Sequence, residues 1–152
     1  MGSEKRDFDQ AAASWDERPQ RVKLAKDVAD AVIRLGGVQP TMDVLDFGCG
    51  TGLLTLQLQP LVHSITGVDS SRGMLEILNG KISGRKLANA RTVLCDLDNG
   101  DLLPGKYDLV VSSMTMHHIP EIAPLLAHFY QVLAPGGCLC VADLDDEGGR
   151  FH

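Results

Sequence analysis

The sequence predicts an α/β fold, a doubly wound parallel sheet with helices on both faces. Three observations carry that prediction. Strand-length apolar runs alternate with helical-period runs from residue 43 to residue 144, the pattern of parallel strands joined by right-handed crossovers. A run such as YDLVVSS, Tyr107–Ser113, is apolar at successive positions, as a strand covered on both faces by helices should be. A glycine-rich turn, FGCGTG, joins the first strand pattern to a helical one.

The elements follow in order. Residues 2–17 are polar with two aromatic islands, Phe8 and Trp15. Residues 21–35 place Val22, Ala25, Val28, Ala29, Val32 and Ile33 on one helical stripe, which Gly36-Gly37 stops. Residues 43–47 read as the first strand, and a helix is predicted over about 52–59, ended near Pro60. Residues 63–68 read as the second strand, and Ser70 or Ser71 supplies the N-cap of a helix through Leu78. Residues 91–95 and 107–113 are the third and fourth strands. Ile122, Leu125, Leu126, Phe129 and Leu133 share one face of a further helix, with Pro120 and Pro124 tolerated at its start. Pro135-Gly136-Gly137 then turns into a fifth strand, CLCVADL.

The chain of 152 residues has the length of one ordinary domain, and its 44% hydrophobic content allows a sizeable core. A net charge of -6 and scattered basic residues argue against a nucleic-acid partner. No apolar run approaches the ~20 residues of a membrane span, and MGSEKRDFDQ has no signal-peptide core. Arg6 stands where a myristoylation pattern wants Ser or Thr. A cytoplasmic protein is expected. Cys49, Cys95, Cys138 and Cys140 contain no C-x-x-C pair and read as small apolar residues of a reduced protein, not as zinc ligands.

In doubly wound sheets the ligand sits beyond the carboxyl ends of the strands. There the sequence places Asp46 and the turn Gly48, Cys49, Gly50, Thr51, Gly52 after the first strand, Asp69 after the second, Asp96 after the third and Ser113 after the fourth. Glycines let the backbone turn sharply and approach a ligand, and the turn is expected to point amide N–H groups outward at a helix start. Asp69 lies about twenty residues beyond the glycines, where an acid takes ribose hydroxyls. The spacing argues against a dinucleotide. The fingerprint G-x-G-x-x-G needs its third glycine at the position of Leu53, and Gly52 comes one residue early. The added acids Asp46 and Asp96 would repel a pyrophosphate and suit a ligand with amines, hydroxyls and positive charge.

These motifs resemble those of the class I S-adenosylmethionine-dependent methyltransferases of the small-molecule type. VLDFGCGTG is similar to the family's first motif, GVDSS to the second, CDLDN to the third, YDLVVSSMTMHHI to the fourth and LAPGGCLCVADL to the one on the fifth strand. The resemblance covers residues 41–144 in order and spacing. It implies a three-layer Rossmann-like sheet of strand order 3-2-1-4-5, here lacking the usual sixth and seventh strands. It implies S-adenosylmethionine as cofactor and S-adenosylhomocysteine (SAH) as product. Gly48, Gly50 and the adjacent backbone of Cys49, Thr51 and Gly52 would hold the methionine part, with Asp46 receiving its ammonium group. Asp69 would bind both ribose hydroxyls. Asp96 would accept from the adenine amino group and Leu97 would offer its N–H to the ring. Ser70 and Met74 would pad the adenine pocket, Met74 reading equally as helix core, and the Ser113 carbonyl would sit below the sulfonium. Residues 1–36 resemble a helical lid segment over a core of residues 37–152, with Phe8, Trp15 and Arg21 as candidate covering residues.

Methyl transfer is an in-line displacement on an already activated methyl group, so the protein's work is alignment and exclusion of water. No Asn-Pro-Pro-Tyr or Pro-Cys signature follows the fourth strand. His117 and His118 are the titratable pair near the expected methyl position, with a structural role in the loop weighed against a base role. The chain stops soon after the fifth strand, which would leave CLCVADL as an open apolar edge. The expectation is a chain truncated at its C-terminus, or a homodimer through that edge. The two functional readings are a methyltransferase acting on a small molecule, and a cofactor-binding domain without turnover that needs a partner chain.

Overall fold

The computed structural model describes residues 8–116 and 119–143. The strands are β1 (Asp43–Phe47), β2 (Ser64–Asp69), β3 (Ala90–Leu94), β4 (Tyr107–Ser113) and β5 (Leu133–Ala142), and the helices α1 (Pro19–Gly36), α2 (Leu53–Leu58), α3 (Arg72–Gly84) and α4 (Ile122–Val132). The strands form one sheet of order β3-β2-β1-β4-β5, and every pairing is parallel. The expected fold class and strand order are those observed.

The central strands are buried on both faces because their side chains alternate between two cores. Leu45, Phe47 and Val110 point to one face and meet Leu125, Phe129 and Val132 of α4. Phe47 and Phe129 stack edge to face with centroids 5.1 Å apart. Val44, Ile65, Leu109 and Val111 point to the other face and meet Val28, Ala29 and Val32 of α1 with Leu54 and Leu58 of α2. Leu75 and Leu78 of α3 pack with Cys49 and Leu56. The result is three layers. α1 therefore packs with the sheet core. Among the described residues, 8–18 lie ahead of it and include a 3-10 segment, Ala12–Glu17.

Several expected details are corrected by packing. The α1 stripe buries Ala25, Val28, Ala29 and Val32, while Val22 and Ile33 at its margins are exposed. Pro19 starts α1 and Gly37, at φ 62°, ends it. α3 runs past Leu78 to Gly84; a Cβ at Gly80 would meet nothing, so this glycine breaks no contact in a solvent-facing turn. α4 buries Leu125, Phe129 and Val132 only. Ile122 and Leu126 are exposed, and Leu133 already belongs to β5. β5 begins before Pro135-Gly136-Gly137: Tyr107 pairs with Leu133, then Leu109 with Cys138. The predicted turn is an excursion within the strand, with Gly136 at φ 79°. Leu144 lies outside the described residues.

Candidate functional site

Parallel strands bring every carboxyl end to one edge of the sheet, and the order reverses between β1 and β4. The turn after β1 is stitched to its neighbour: Gly48 and Cys49 both donate from their backbone N–H to the Val68 carbonyl, at 2.7 and 3.0 Å. Gly48, Gly50 and Gly52 have φ of 74°, 56° and 87°, a region costly for side chains. They do different work. A Cβ at Gly48 would overlap the Thr115 side chain, and one at Gly52 would overlap Leu78. At Gly50 a Cβ would meet only Met74 Sδ, at 3.9 Å. Two glycines thus serve internal packing and one leaves room for an approaching ligand.

The turn is not the outward amide nest that sequence reasoning expected. Besides Gly48 and Cys49, Gly52 donates to the Cys49 carbonyl at 3.0 Å and Gly50 donates to Asp69 Oδ2 at 2.8 Å. Four of its five amides serve the fold, as the extra carboxylates at the strand ends also argue against a diphosphate.

Asp69 ties two loops together. Its Oδ1 accepts from the Ser71 N–H at 2.9 Å, at the start of α3, while Oδ2 holds Gly50. Burial pushes its pKa up, backbone N–H groups of Ser71, Gly50 and Ser70 oppose the rise, and Asp9 adds to it. Ser71, not Ser70, is the N-cap, its Oγ accepting from Met74 N–H at 3.2 Å. Met74 is buried beneath Gly50.

Asp46 is 1% exposed and accepts from Thr55 Oγ1 at 2.6 Å. Its pKa is pushed up to about 7, first by burial and also by Asp69, against the Thr55 hydrogen bond. A carboxyl near half-ionisation at neutral pH gains charge when a cation arrives beside it. The unfolded chain releases this proton near its ordinary value of 3.8 and the native state keeps it up to about 7, so stability falls as pH rises through that window. The Asp46→Asn variant is expected to flatten that slope, Asp69 leaving a remainder of the same sign. Melting temperatures from pH 4.5 to 7.5 check this; parallel profiles would contradict it.

After β3, Asp96 caps the 3-10 turn Leu97–Asn99, accepting from Asp98 N–H, and Leu97 packs on the α4-side core. After β4, the Ser113 carbonyl accepts from Thr115 Oγ1 at 3.1 Å. Met114 takes φ 58° while donating to the Ala142 carbonyl at 2.7 Å. This strained residue swings Thr115 onto Gly48, across the switch between β1 and β4. Ser112 Oγ is buried with no hydrogen-bond partner among the described residues. Cys49 is buried, and burial holds its thiol well above the ordinary range, unsuited to a nucleophile. Thr51 is buried and donates to Asp16. Trp15 meets Phe8 edge to face at 5.8 Å and carries the Arg21 guanidinium 3.5 Å over its ring, so the three candidate covering residues are together. His117 and His118 lie outside the described residues.

The profile of a methyltransferase domain matches residues 44–137. The chain belongs to the class I S-adenosylmethionine-dependent methyltransferases. Over 118 residues this chain is 38% identical to an uncharacterized methyltransferase of Schizosaccharomyces pombe, covering 73% of this chain and 42% of that protein. Over 107 residues it is 36% identical to a trans-aconitate 2-methyltransferase of Deinococcus radiodurans, covering 68% and 38%. A malonyl-[acyl-carrier protein] O-methyltransferase of Serratia marcescens is 27% identical, covering 90% of this chain and 51% of that protein. The chain thus spans roughly half or less of these relatives. The fold is shared with a DhpI–SAH complex structure at TM-score 0.80 and 24% identity, covering 97% of this chain and 70% of that one.

The residues present fit the family's cofactor. Gly50 leaves backbone open to a ligand, the orphaned Ser112 hydroxyl lies near the end of β4, and the strand-end acids suit ammonium, hydroxyl and amino groups. Sequence reasoning missed Thr55, Thr115, Asp9 and Asp16. Only Thr55 carried a signal, as a polar position among the leucines of α2.

Proposed function

We propose that this chain binds S-adenosylmethionine at the ends of β1 to β4 and that the protein transfers its methyl group to a small-molecule acceptor by in-line displacement. The observation that carries the reading is Asp69, whose carboxylate joins Gly50 to the start of α3 and so sits where a ribose would bridge the two loops. Asp46 receives the amino acid's ammonium, the backbone of residues 48–52 follows its methionine part, and Asp69 takes both ribose hydroxyls. Asp96 and the Leu97 N–H read the adenine edge, Ser70 and Met74 pad the ring, and the Ser113 carbonyl lies under the sulfonium. Residues 8–17, with Trp15, cover the ligand. When bound, the cofactor supplies an electrophilic methyl on a sulfonium, and the chain's part is to align an acceptor and keep water out.

Relatives named for trans-aconitate and for malonyl–acyl carrier protein support an acidic acceptor. Such a carboxylate needs no general base. A net charge of -6 goes with the absence of a nucleic-acid partner. No described helix is long and apolar enough to cross a membrane, and a cytoplasmic setting is part of this reading. So is self-association through the outer edge of β5, which has no strand neighbour among the described residues; a monomeric mass at every concentration would remove it.

The test is release of SAH from S-adenosylmethionine across a panel of carboxylic acids and other small metabolites. Acceptor-dependent release is expected. Binding without release on any acceptor would leave a cofactor-binding unit that needs a partner chain.

A further inference from the structure

Residues 8–17 meet the core through two carboxylates, one at the start of α3 and one at the glycine turn. Asp9 Oδ1 accepts from Ser71 Oγ at 2.5 Å and from Gly73 N–H at 2.7 Å. Asp16 Oδ1 accepts from Thr51 Oγ1 at 2.5 Å, and its Oδ2 pairs with Lys81 Nζ at 2.5 Å. Lys81 Nζ also donates to the Thr51 carbonyl at 2.9 Å. The Asp16–Lys81 pair is largely shielded, with side chains 33% and 19% exposed. Between the clips, Ala12 is buried.

Gly73 shows that the core is shaped for this contact. It lies in the first turn of α3 with no positive φ, where glycine is a poor helix former. Its backbone gives no reason for lacking a side chain. Its surroundings do: a Cβ there would stand 2.9 Å from both the Cα and the carbonyl oxygen of Asp9. The segment lies backbone to backbone on the helix, and only glycine leaves it room.

We propose that Gly73, Asp9 and the Asp16–Lys81 pair are positioning residues that seat residues 8–17 on α3 and the glycine turn, and thereby set how long the adenosyl ligand stays bound. This rests on the cofactor site proposed above. Asp9 grips the side chain of Ser71, whose N–H Asp69 holds. Asp16 grips Thr51, which stands between Gly50 and Gly52. Each clip closes one end of the proposed ligand path, and none of the four residues touches the ligand in that reading.

The chain's one tryptophan lies on the seated segment, so seating can be read without ligand. Gly73→Ala wedges the segment off while favouring the helix; Lys81→Met opens the other clip. Expected in Gly73→Ala are a melting temperature equal to or above wild type, at least twofold stronger acrylamide quenching of Trp15, and SAH dissociation about tenfold faster by stopped flow. Lys81→Met is expected to move quenching and dissociation the same way, by about threefold. Unchanged quenching in both variants would overturn the seating. Raised quenching with unchanged SAH dissociation would overturn the control of residence. If wild type binds no SAH, the cofactor site itself fails and residence control fails with it, while quenching still decides the seating.

Discussion

Replacing Asp69 with alanine is expected to weaken SAH binding by at least about 100-fold. The side chain ends β2, the neighbour of β1 at the switch in strand order, and is half-buried. A carboxylate accepting two hydroxyl hydrogen bonds gains about 1.5–3 kcal/mol from each, and 100-fold is only about 2.7 kcal/mol. The alanine variant also frees the N–H groups of Gly50 and Ser71, so some loss of stability accompanies the loss of affinity. Asp69→Asn separates the two effects. It keeps an acceptor for one loop and can donate, but it lacks the charge that draws two hydroxyls. Calorimetric titration at a temperature where circular dichroism shows each variant folded is the measurement. Affinity within threefold of wild type in both would remove the ribose assignment.

Gly52→Ala is expected to be the most damaging change in the glycine turn for stability, and Gly50→Ala for binding. At Gly52 two penalties add. An alanine at φ 87° is strained by about 1–2 kcal/mol. Its Cβ would also collide with Leu78, a fully buried residue with nowhere to retreat, an overpacking cost of about 1–3 kcal/mol. For a chain of this size the sum corresponds to a melting temperature lower by about 5–15 °C. At Gly50 only the strain applies, since the Cβ would find ordinary contact with Met74. There the methyl group instead fills the space that a ligand needs, and SAH affinity should fall by more than about tenfold, while stability loses only the backbone strain of about 1–2 kcal/mol. Differential scanning fluorimetry and titration on both variants check the split. Equal effects at the two positions would contradict the division of labour among the glycines.

The strands were the most legible part of the fold. β1 and β4 match their expected bounds because apolar residues end sharply at glycine, serine or acid, and burial on both faces leaves no ambiguous alternation. The helix faces were less legible. The sheet leaves α4 a stripe only as wide as Leu125, Phe129 and Val132, so Ile122 and Leu126 look like core residues in sequence and stand exposed. The excursion in β5 was read as a turn because Pro135-Gly136 is turn chemistry; pairing on both sides of it depends on β4, which local sequence does not encode.

The site divides the same way. Asp46, Asp69, Asp96 and Ser113 were visible because parallel strands place their ends together. What holds them was hidden. Thr115 reaches Gly48 because of a left-handed Met114, which no pattern announces. Asp9 and Asp16 act on residues 62 and 35 positions away, and acids in a polar lead-in look like solubility. The outward amides expected of the glycine turn were spent on β2 and Asp69, partners that become available only once the strands are side by side.

The most direct test of the account is a calorimetric titration of the chain with S-adenosylmethionine, SAH and NAD. The glycine turn with Asp46 and Asp69 predicts saturable one-to-one binding of both adenosyl compounds and no heat from NAD. Binding of NAD with neither adenosyl compound bound would contradict it.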